Sequence, residues 1–209
     1  MSPHLRLATP HDAAGIHAIY APIVCNTPVS FELVPPSHDE IAARVTKTLT
    51  RFPWLVCTVQ ERLLGYAYAG SHNERAAYQW AVNVSVYVDA KARRLGIGRS
   101  LYQTLFSILR LQGFYRAYAG ITLPNGASVG LHESLGFRSV GTYEKVGYKQ
   151  GAWHDVGYWQ LTLQPSGGEP ARPRPLPSLQ DCRELREALQ TGSEKLTKSV
   201  AQDAAALDV

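Results

Sequence analysis

The sequence predicts a mixed α/β fold, and three observations predict it. Residues 80–88 (WAVNVSVYV) are rich in β-branched and aromatic residues and alternate in character, which reads as a strand. A basic, glycine-punctuated stretch, Arg93 to Ser100, follows and runs into Leu101, Tyr102, Leu105 and Phe106, apolar positions at helical spacing. Around this junction the segments follow the order strand, strand, loop, strand, helix, strand, helix, strand, strand, after two N-terminal helices.

Taken in order, Leu5 to Ala8 is a short strand. Thr9 to Asp12 opens a helix with the apolar stripe Ala14, Ile16, Ile19, Tyr20 and Ile23, which Pro22 should kink or end. Asn26 to Pro36 is a loop holding Phe31 and Glu32. Ser37-His38-Asp39-Glu40 is a capping box, and Ile41, Val45 and Leu49 then share one helix face. Trp54 to Val59 and Leu63 to Ala69 form an antiparallel pair across the turn Gln60 to Arg62. Gly70 to Ala77 is a polar loop. The helix begun at the glycine stretch ends at Gly113, and Ala117 to Thr122 returns as a parallel strand. Pro124-Asn125-Gly126 turns into a short helix over 128–135. Phe137 to Thr142 and Asp155 to Thr162 are closing strands around a polar-aromatic loop.

At 209 residues, 45% hydrophobic and 18% charged, the chain can bury one core and carry a short appendage. After Gln164 the composition shifts to PSGGEPARPRPLP, an expected linker, and then to a segment over 178–190 that can form a helix with Leu179, Cys182, Leu185 and Leu189 on one side. Residues 1–164 are thus the expected catalytic domain and 165–209 a linker with a weakly structured tail. Net charge is +4; residues 165–209 carry −1, leaving +5 on 1–164. With no long Lys/Arg run and no nucleic-acid motif, this excess suits a small polyanion better than nucleic acid. Cys25, Cys57 and Cys182 have no metal spacing and no even-numbered framework, so the reading is metal-free, reduced and cytoplasmic. No apolar run reaches membrane-spanning length.

A strand, a glycine loop and a helix start together make an anion cradle. The first helical N–H groups are free, the helix end is partly positive, and Gly96 and Gly98 let a phosphate approach the backbone. Arg93, Arg94 and Arg99 add full charges. No Gly-Lys-Ser/Thr follows, and the three-glycine dinucleotide pattern is absent. Arg93-Arg94-Leu95-Gly96-Ile97-Gly98 instead resembles the acetyl-CoA loop of the GNAT N-acetyltransferases. Within that superfamily, FPWLV (52–56), GYAYAG (65–70), RAAYQW (75–80), RRLGIGRSLY (93–102), LPNGASVGLHESLGF (123–137) and GYKQGAWHDVGYWQ (147–160) are similar to the phosphinothricin N-acetyltransferases, a family that also acetylates methionine sulfone and sulfoximine. The resemblance covers about residues 5–164.

The resemblance implies a GNAT fold, a mixed and mostly antiparallel central sheet with two splayed strands flanked by helices. It implies acetyl-CoA as co-substrate, with the backbone of Val86, Tyr87 and Val88 pairing with pantetheine, the pyrophosphate on Arg93, Arg94, Leu95, Gly96, Ile97, Gly98, Arg99 and Ser100, and Asn125 and Ser128 holding the arm. His132 stands where the superfamily often has a Tyr that protonates the leaving thiolate. An N–H at or beside Tyr87 would face the developing oxyanion. Phe31, Glu32, Arg75 and Tyr78 are the implied amino-acid pocket, with Arg75 clamping an acid group. Lys149, Trp153 and His154 are implied to lie at a homodimer interface or at the pocket mouth.

The chain departs from the family at Asn83, where the phosphinothricin enzymes carry a Glu presumed to be the general base. Asn takes no proton at neutral pH. A water chain, another group (His132 or Glu32), or slow turnover would then have to account for the difference. Three functions stay open: acetylation of the α-amine of a small amino-acid-like substrate, acetylation of a protein or polyamine, and an acyl-CoA-binding module weakened in catalysis.

Overall fold

The structure, a computed structural model, describes residues 3–207, with side chains described through Lys198. Seven strands form one sheet: β1 (His4–Leu7), β2 (Trp54–Val59), β3 (Arg62–Ser71), β4 (Ala81–Val88), β5 (Arg116–Leu123), β6 (Arg138–Lys149) and β7 (Ala152–Thr162), in the order β1-β2-β3-β4-β5-β7-β6. Every neighbouring pair is antiparallel except β4 and β5. The predicted mixed, mostly antiparallel α/β sheet is therefore the fold observed.

Helices α1 (Ala13–Asn26) and α2 (His38–Leu49) cover one face of the sheet. The capping box forms as predicted: Ser37 N–H donates to Glu40 Oε2 at 2.7 Å and Glu40 N–H to Ser37 Oγ at 3.2 Å. α1 does not end at Pro22 but continues to Asn26. Pro22 removes one helical hydrogen bond, yet Ile16 and Ile19 are buried against the sheet and Val24 beyond it is buried too, and this packing overrides the local break.

Helix α3 (Ile97–Gln112) lies on the other face. It ends as predicted at Gly113, which sits at φ 93° and donates to the Leu109 and Arg110 carbonyls. The connection from β4 through α3 to β5 is the single parallel crossover. A short helix, α4 (Gly126–Ser134), follows β5.

Two expectations differ from the structure. The polar-aromatic loop between the closing strands is instead strand, so β6 and β7 form a long hairpin turned only at Gln150 and Gly151. Cross-strand pairing of alternating aromatic and β-branched residues carries the ribbon well beyond the core.

The segment expected as linker and weakly structured tail packs onto the sheet domain. Leu176, Leu179, Leu185 and Leu196 are buried in the same core as Leu5, Leu101 and Leu105. Helix α5 (Arg183–Leu207) runs along α3 and β1. Its Ser193 hydroxyl accepts from Leu5 N–H at 2.9 Å. A methyl group on Gly192 would run into Thr104 and Leu5, so the two helices meet through small residues. The proline stretch is pinned as well: Gln112 Nε2 donates to the Arg51 and Arg174 carbonyls, both at 2.8 Å, and Trp80 Nε1 donates to Ala171 O at 2.8 Å. Composition marked this segment as unable to pack because it counts only its own sparse apolar residues, not the α3 face that they cover.

Candidate active site

β4 and β5 pair only at Ala81–Arg116, Val82–Ala117 and Asn83–Tyr118, and then part. β4 stays bonded to β3 as far as Val88, and β5 to β7 as far as Leu123. The result is a V-shaped gap inside the sheet, closed at Asn83–Tyr118 and open toward the start of α3. Val84, Ser85, Val86 and Tyr87 line one arm and Ala119 to Thr122 the other; Asn125, Ser128 and His132 of the α4 segment and Tyr102 of α3 complete the wall.

At the open end, Gly96 has φ 73°, a left-handed conformation that glycine adopts freely, and it caps the N-terminus of α3. Arg93 and Arg94 are exposed and, among the described residues, ion-pair with no carboxylate. A Cβ on Gly98 would stand 3.3 Å from Leu131 and 3.6 Å from Val88, so this glycine holds α3 close to α4 and to the mouth of the gap. The free backbone, the two unpaired guanidinium groups and the narrow approach fit a pyrophosphate.

Not every side chain of the basic loop faces that mouth. Ile97 is buried in the core, and Leu95 packs against it. Ser100 is buried and lines a cavity of about 390 Å³ between α3 and α5, apart from the gap. Arg99 reaches across to the end of α4, donating to Ser134 Oγ at 2.7 Å and its carbonyl at 3.5 Å. There a cation meets the negative end of a helix dipole.

Asn125 caps α4, accepting from Ser128 N–H at 3.1 Å through Oδ1, which leaves its amide N–H groups for the gap. His132 is 3% exposed. Its Nδ1 lies 2.7 Å from the Ser128 carbonyl, an obligate acceptor, so Nδ1 carries the proton. Nε2 then accepts from the Tyr102 hydroxyl at 3.0 Å. Burial pushes the His132 pKa down, against a smaller upward pull from the Ser128 hydrogen bond. Desolvation likewise holds the Tyr102 phenol above its usual range. His132 therefore has no free proton to give, and Tyr102 carries the O–H on this side of the gap. Sequence reading missed Tyr102. The available signal was a tyrosine among the core positions of α3, because a buried phenol needs a partner.

The opposite face of β4 carries Asn83, Ser85 and Tyr87. Tyr87 stacks on Tyr66 and meets Tyr20 edge-on, both at 5.2 Å, so its ring is committed there and its backbone borders the gap. Asn83 is exposed beside the His72 ring, with Oδ1 2.9 Å from His72 Nδ1. That ring stacks on Tyr118 at 4.3 Å, and Tyr78 lies 5.8 Å away. Arg75 is exposed and without an ion pair among the described residues; its own N–H donates to Asn73 Oδ1 at 3.0 Å.

Glu32 does not stand free as a base. Arg44 grips both its oxygens at 2.7 and 3.2 Å, and the Tyr20 hydroxyl donates to it at 3.1 Å. Phe31 lies over Gly147 of β6, where any side chain would collide with its ring. Among the described residues no hydrogen bond or ring contact joins Phe31 and Glu32 to Arg75 and Tyr78. The two pairs sit on separate loops, the first beside the β5 arm, where Thr122 Oγ1 donates to Val29 O at 3.4 Å. Lys149 is neither at a surface nor in a pocket: it is 6% exposed, and its ammonium donates to the carbonyls of Val24, Ser30 and Glu32 at 2.6, 2.6 and 2.8 Å. His154 Nε2 lies 3.0 Å from Lys149 O, while Trp153 is 62% exposed.

A sheet split beside a glycine-rich helix start is the arrangement of an acyl-CoA-dependent transferase, and residues 5–157 match the model of the acetyltransferase (GNAT) domain. The chain belongs to the GNAT acetyltransferase family. It is 40% identical to a phosphinothricin N-acetyltransferase of Streptomyces viridochromogenes over 82% of this chain and 92% of that one. It is 36% identical to a methionine sulfoximine/methionine sulfone acetyltransferase of Pseudomonas aeruginosa, over 81% of this chain and all of the relative. A phosphinothricin acetyltransferase of Sinorhizobium meliloti, solved in complex with acetyl-CoA, superposes with a TM-score of 0.78 at 32% identity, covering 82% of this chain and 94% of that one. Among the described residues no helix is long and apolar enough to cross a membrane, and no three His, Cys, Asp or Glu side chains stand together as a metal site.

Proposed function

We propose that the protein transfers the acetyl group of acetyl-CoA to the α-amine of a small amino-acid-like substrate of the phosphinothricin or methionine sulfone/sulfoximine type. The observation that carries this reading is the V-shaped gap, whose open end meets the cradle and whose closed end meets Asn83. From Val88 back to Asn83 the unpaired strand edge spans about 17 Å at ~3.3 Å per residue, an edge along which an extended pantetheine arm can pair. The thioester would then sit near the closed end. Its sulfur would face Tyr102 and His132, and its carbonyl the other face, where Asn83, Tyr78 and Arg75 lie. A backbone N–H on the free edge of β4, between the closed end and Tyr87, would meet the developing oxyanion. Arg75 would hold the acid group of the substrate, and Phe31 its aliphatic part.

The relatives named for phosphinothricin and methionine sulfoximine support the amino-acid-like acceptor. Thiol release from acetyl-CoA, with a panel of free amino acids, polyamines and an N-terminal peptide, is the test. Acetylation of phosphinothricin or methionine sulfone above all others is expected; selective turnover of the peptide or polyamine would overturn the substrate class. Gly98→Trp should abolish acetyl-CoA binding in calorimetry, and undiminished affinity in a folded variant would remove the cradle from the reading.

The same reading includes a cytoplasmic homodimer. Its support is the β6–β7 ribbon, on which Tyr143, Val146, Tyr148 and Trp153 are all at least half exposed. An apolar ribbon of this kind calls for a covering surface, and a second copy supplies one. Light scattering of the full chain should give twice the chain mass, and Val146→Asp with Trp153→Asp should halve it. A monomeric wild type would refute the dimer.

A further inference from the structure

An acetyl transfer of the kind proposed above needs a base on the acceptor side of the gap, and Asn83 has no basic atom to offer. The carboxylate of Glu32 is gripped by Arg44 and Tyr20. His132 lies on the thioester side with both ring nitrogens engaged. His154 sits on the β6–β7 hairpin, paired with Gly147 and beside the Phe31 ring, and among the described residues it makes no hydrogen bond or ring contact with Asn83. His72 remains. It is half-buried, and it stacks on Tyr118, the β5 partner of Asn83 in the last rung before the strands part.

The hydrogen bonds assign its tautomer. Asn83 Nδ2 lies 3.4 Å from the Ser71 carbonyl, which turns the amide nitrogen toward that oxygen and leaves Oδ1 for His72. Oδ1 only accepts, so His72 Nδ1 donates across the 2.9 Å contact and Nε2 keeps its lone pair. The stack on Tyr118, at an interplanar angle of 23°, fixes the plane of the ring. A neutral amide thus does for this imidazole what an orienting partner does in a catalytic dyad: it sets the tautomer and holds the ring beside the closed end of the gap.

We propose that His72 is the general base of this site and that Asn83 is its positioning residue, a proposal that rests on the acetyl-transfer reading. His72 Nε2 takes one proton from the substrate ammonium. The freed lone pair forms the C–N bond to the acetyl carbon as the C–S bond breaks and its electron pair goes to sulfur. Of the two protons that leave nitrogen, one passes through His72 to solvent and the other ends on the thiol. The exchange of a strand carboxylate for Asn83 is therefore compensated from the neighbouring loop.

The titratable groups that face His72 are the phenols of Tyr78 and Tyr118. Glu74 and Arg75 lie on its own loop, and β4 presents the uncharged Asn83. His72→Phe keeps an aromatic stack over Tyr118 and removes the base. Initial rates would be followed from pH 6 to 9.5 with methionine sulfone or phosphinothricin, beside acetyl-CoA calorimetry. At pH 7 kcat/KM should fall about 10²-fold, the low end of a general base's contribution. The deficit should shrink toward pH 9.5, where free amine is abundant, and acetyl-CoA affinity should be unchanged. Asn83→Ala should give a smaller loss of the same pH form, and Asn83→Glu placed in the His72→Phe background should return part of the rate. An active wild type with an equally active His72→Phe variant overturns the proposal, and so does a loss equal at every pH. A wild type that binds acetyl-CoA and acetylates no amine overturns the functional reading, and this proposal with it.

Discussion

A chain ended at Gln164 should lose most of its stability. Leu176, Leu179, Leu185 and Leu196 are all buried, and each contributes about 1.5–3 kcal/mol by leaving water, so their removal costs about 6–12 kcal/mol. That range overlaps the whole stability of an ordinary domain, about 5–15 kcal/mol. Cutting the segment also uncovers the side of α3 that carries Ser100 and Thr104, and it takes from the buried Gln112 amide one of its two acceptors, the Arg174 carbonyl. The truncated chain should unfold without a cooperative urea transition or fail to accumulate as folded protein. Gly192→Leu tests the same packing in the full chain. Its side chain would run into Thr104 and Leu5 and should cost about 1–3 kcal/mol as overpacking. A truncated chain with the urea midpoint of the full one would make α5 a bystander. The family match ends at residue 157, so family membership says nothing about this segment.

Lys149→Met should act on both stability and substrate affinity. The ammonium spends its three N–H groups on three carbonyls of the 24–32 segment. Met fills a similar volume and donates nothing, leaving the carbonyls of Val24 and Ser30 buried without this donor. At roughly 1–3 kcal/mol for each of these two stranded groups, a loss of about 2–6 kcal/mol is expected. The segment also carries Phe31 and Glu32, so its release should raise KM for the amino-acid substrate more than it lowers kcat. Urea midpoints and Michaelis constants measured on one preparation check both effects. An unchanged midpoint would show that water replaces the ammonium at no cost.

The parts of this protein legible in its sequence are those whose causes lie within a few residues of one another. The box at Ser37–Glu40, the glycine-led start of α3, its stop at Gly113 and the β-branched run of β4 each follow from local sterics or a local hydrogen bond. The order of these elements then sets the sheet, because a parallel crossover and antiparallel neighbours leave few topologies. What only the tertiary structure decided are contacts between residues far apart in the chain. Pro22 stays inside α1 because buried neighbours outweigh one lost hydrogen bond. The Pro-rich stretch and α5 fold because α3 presents a face for them to cover. Lys149 is a clamp because three carbonyls more than a hundred positions away converge on it. His72 meets Asn83 because the β3–β4 register places Gly70 opposite Asn83, and Tyr102 meets His132 because α3 and α4 pack side by side. Sequence by itself determined the scaffold and the glycine-led start of α3, since local rules act along the chain. Which groups could hold or move a proton was decided by packing, since a proton's fate depends on the atoms around it and not on their places in the chain.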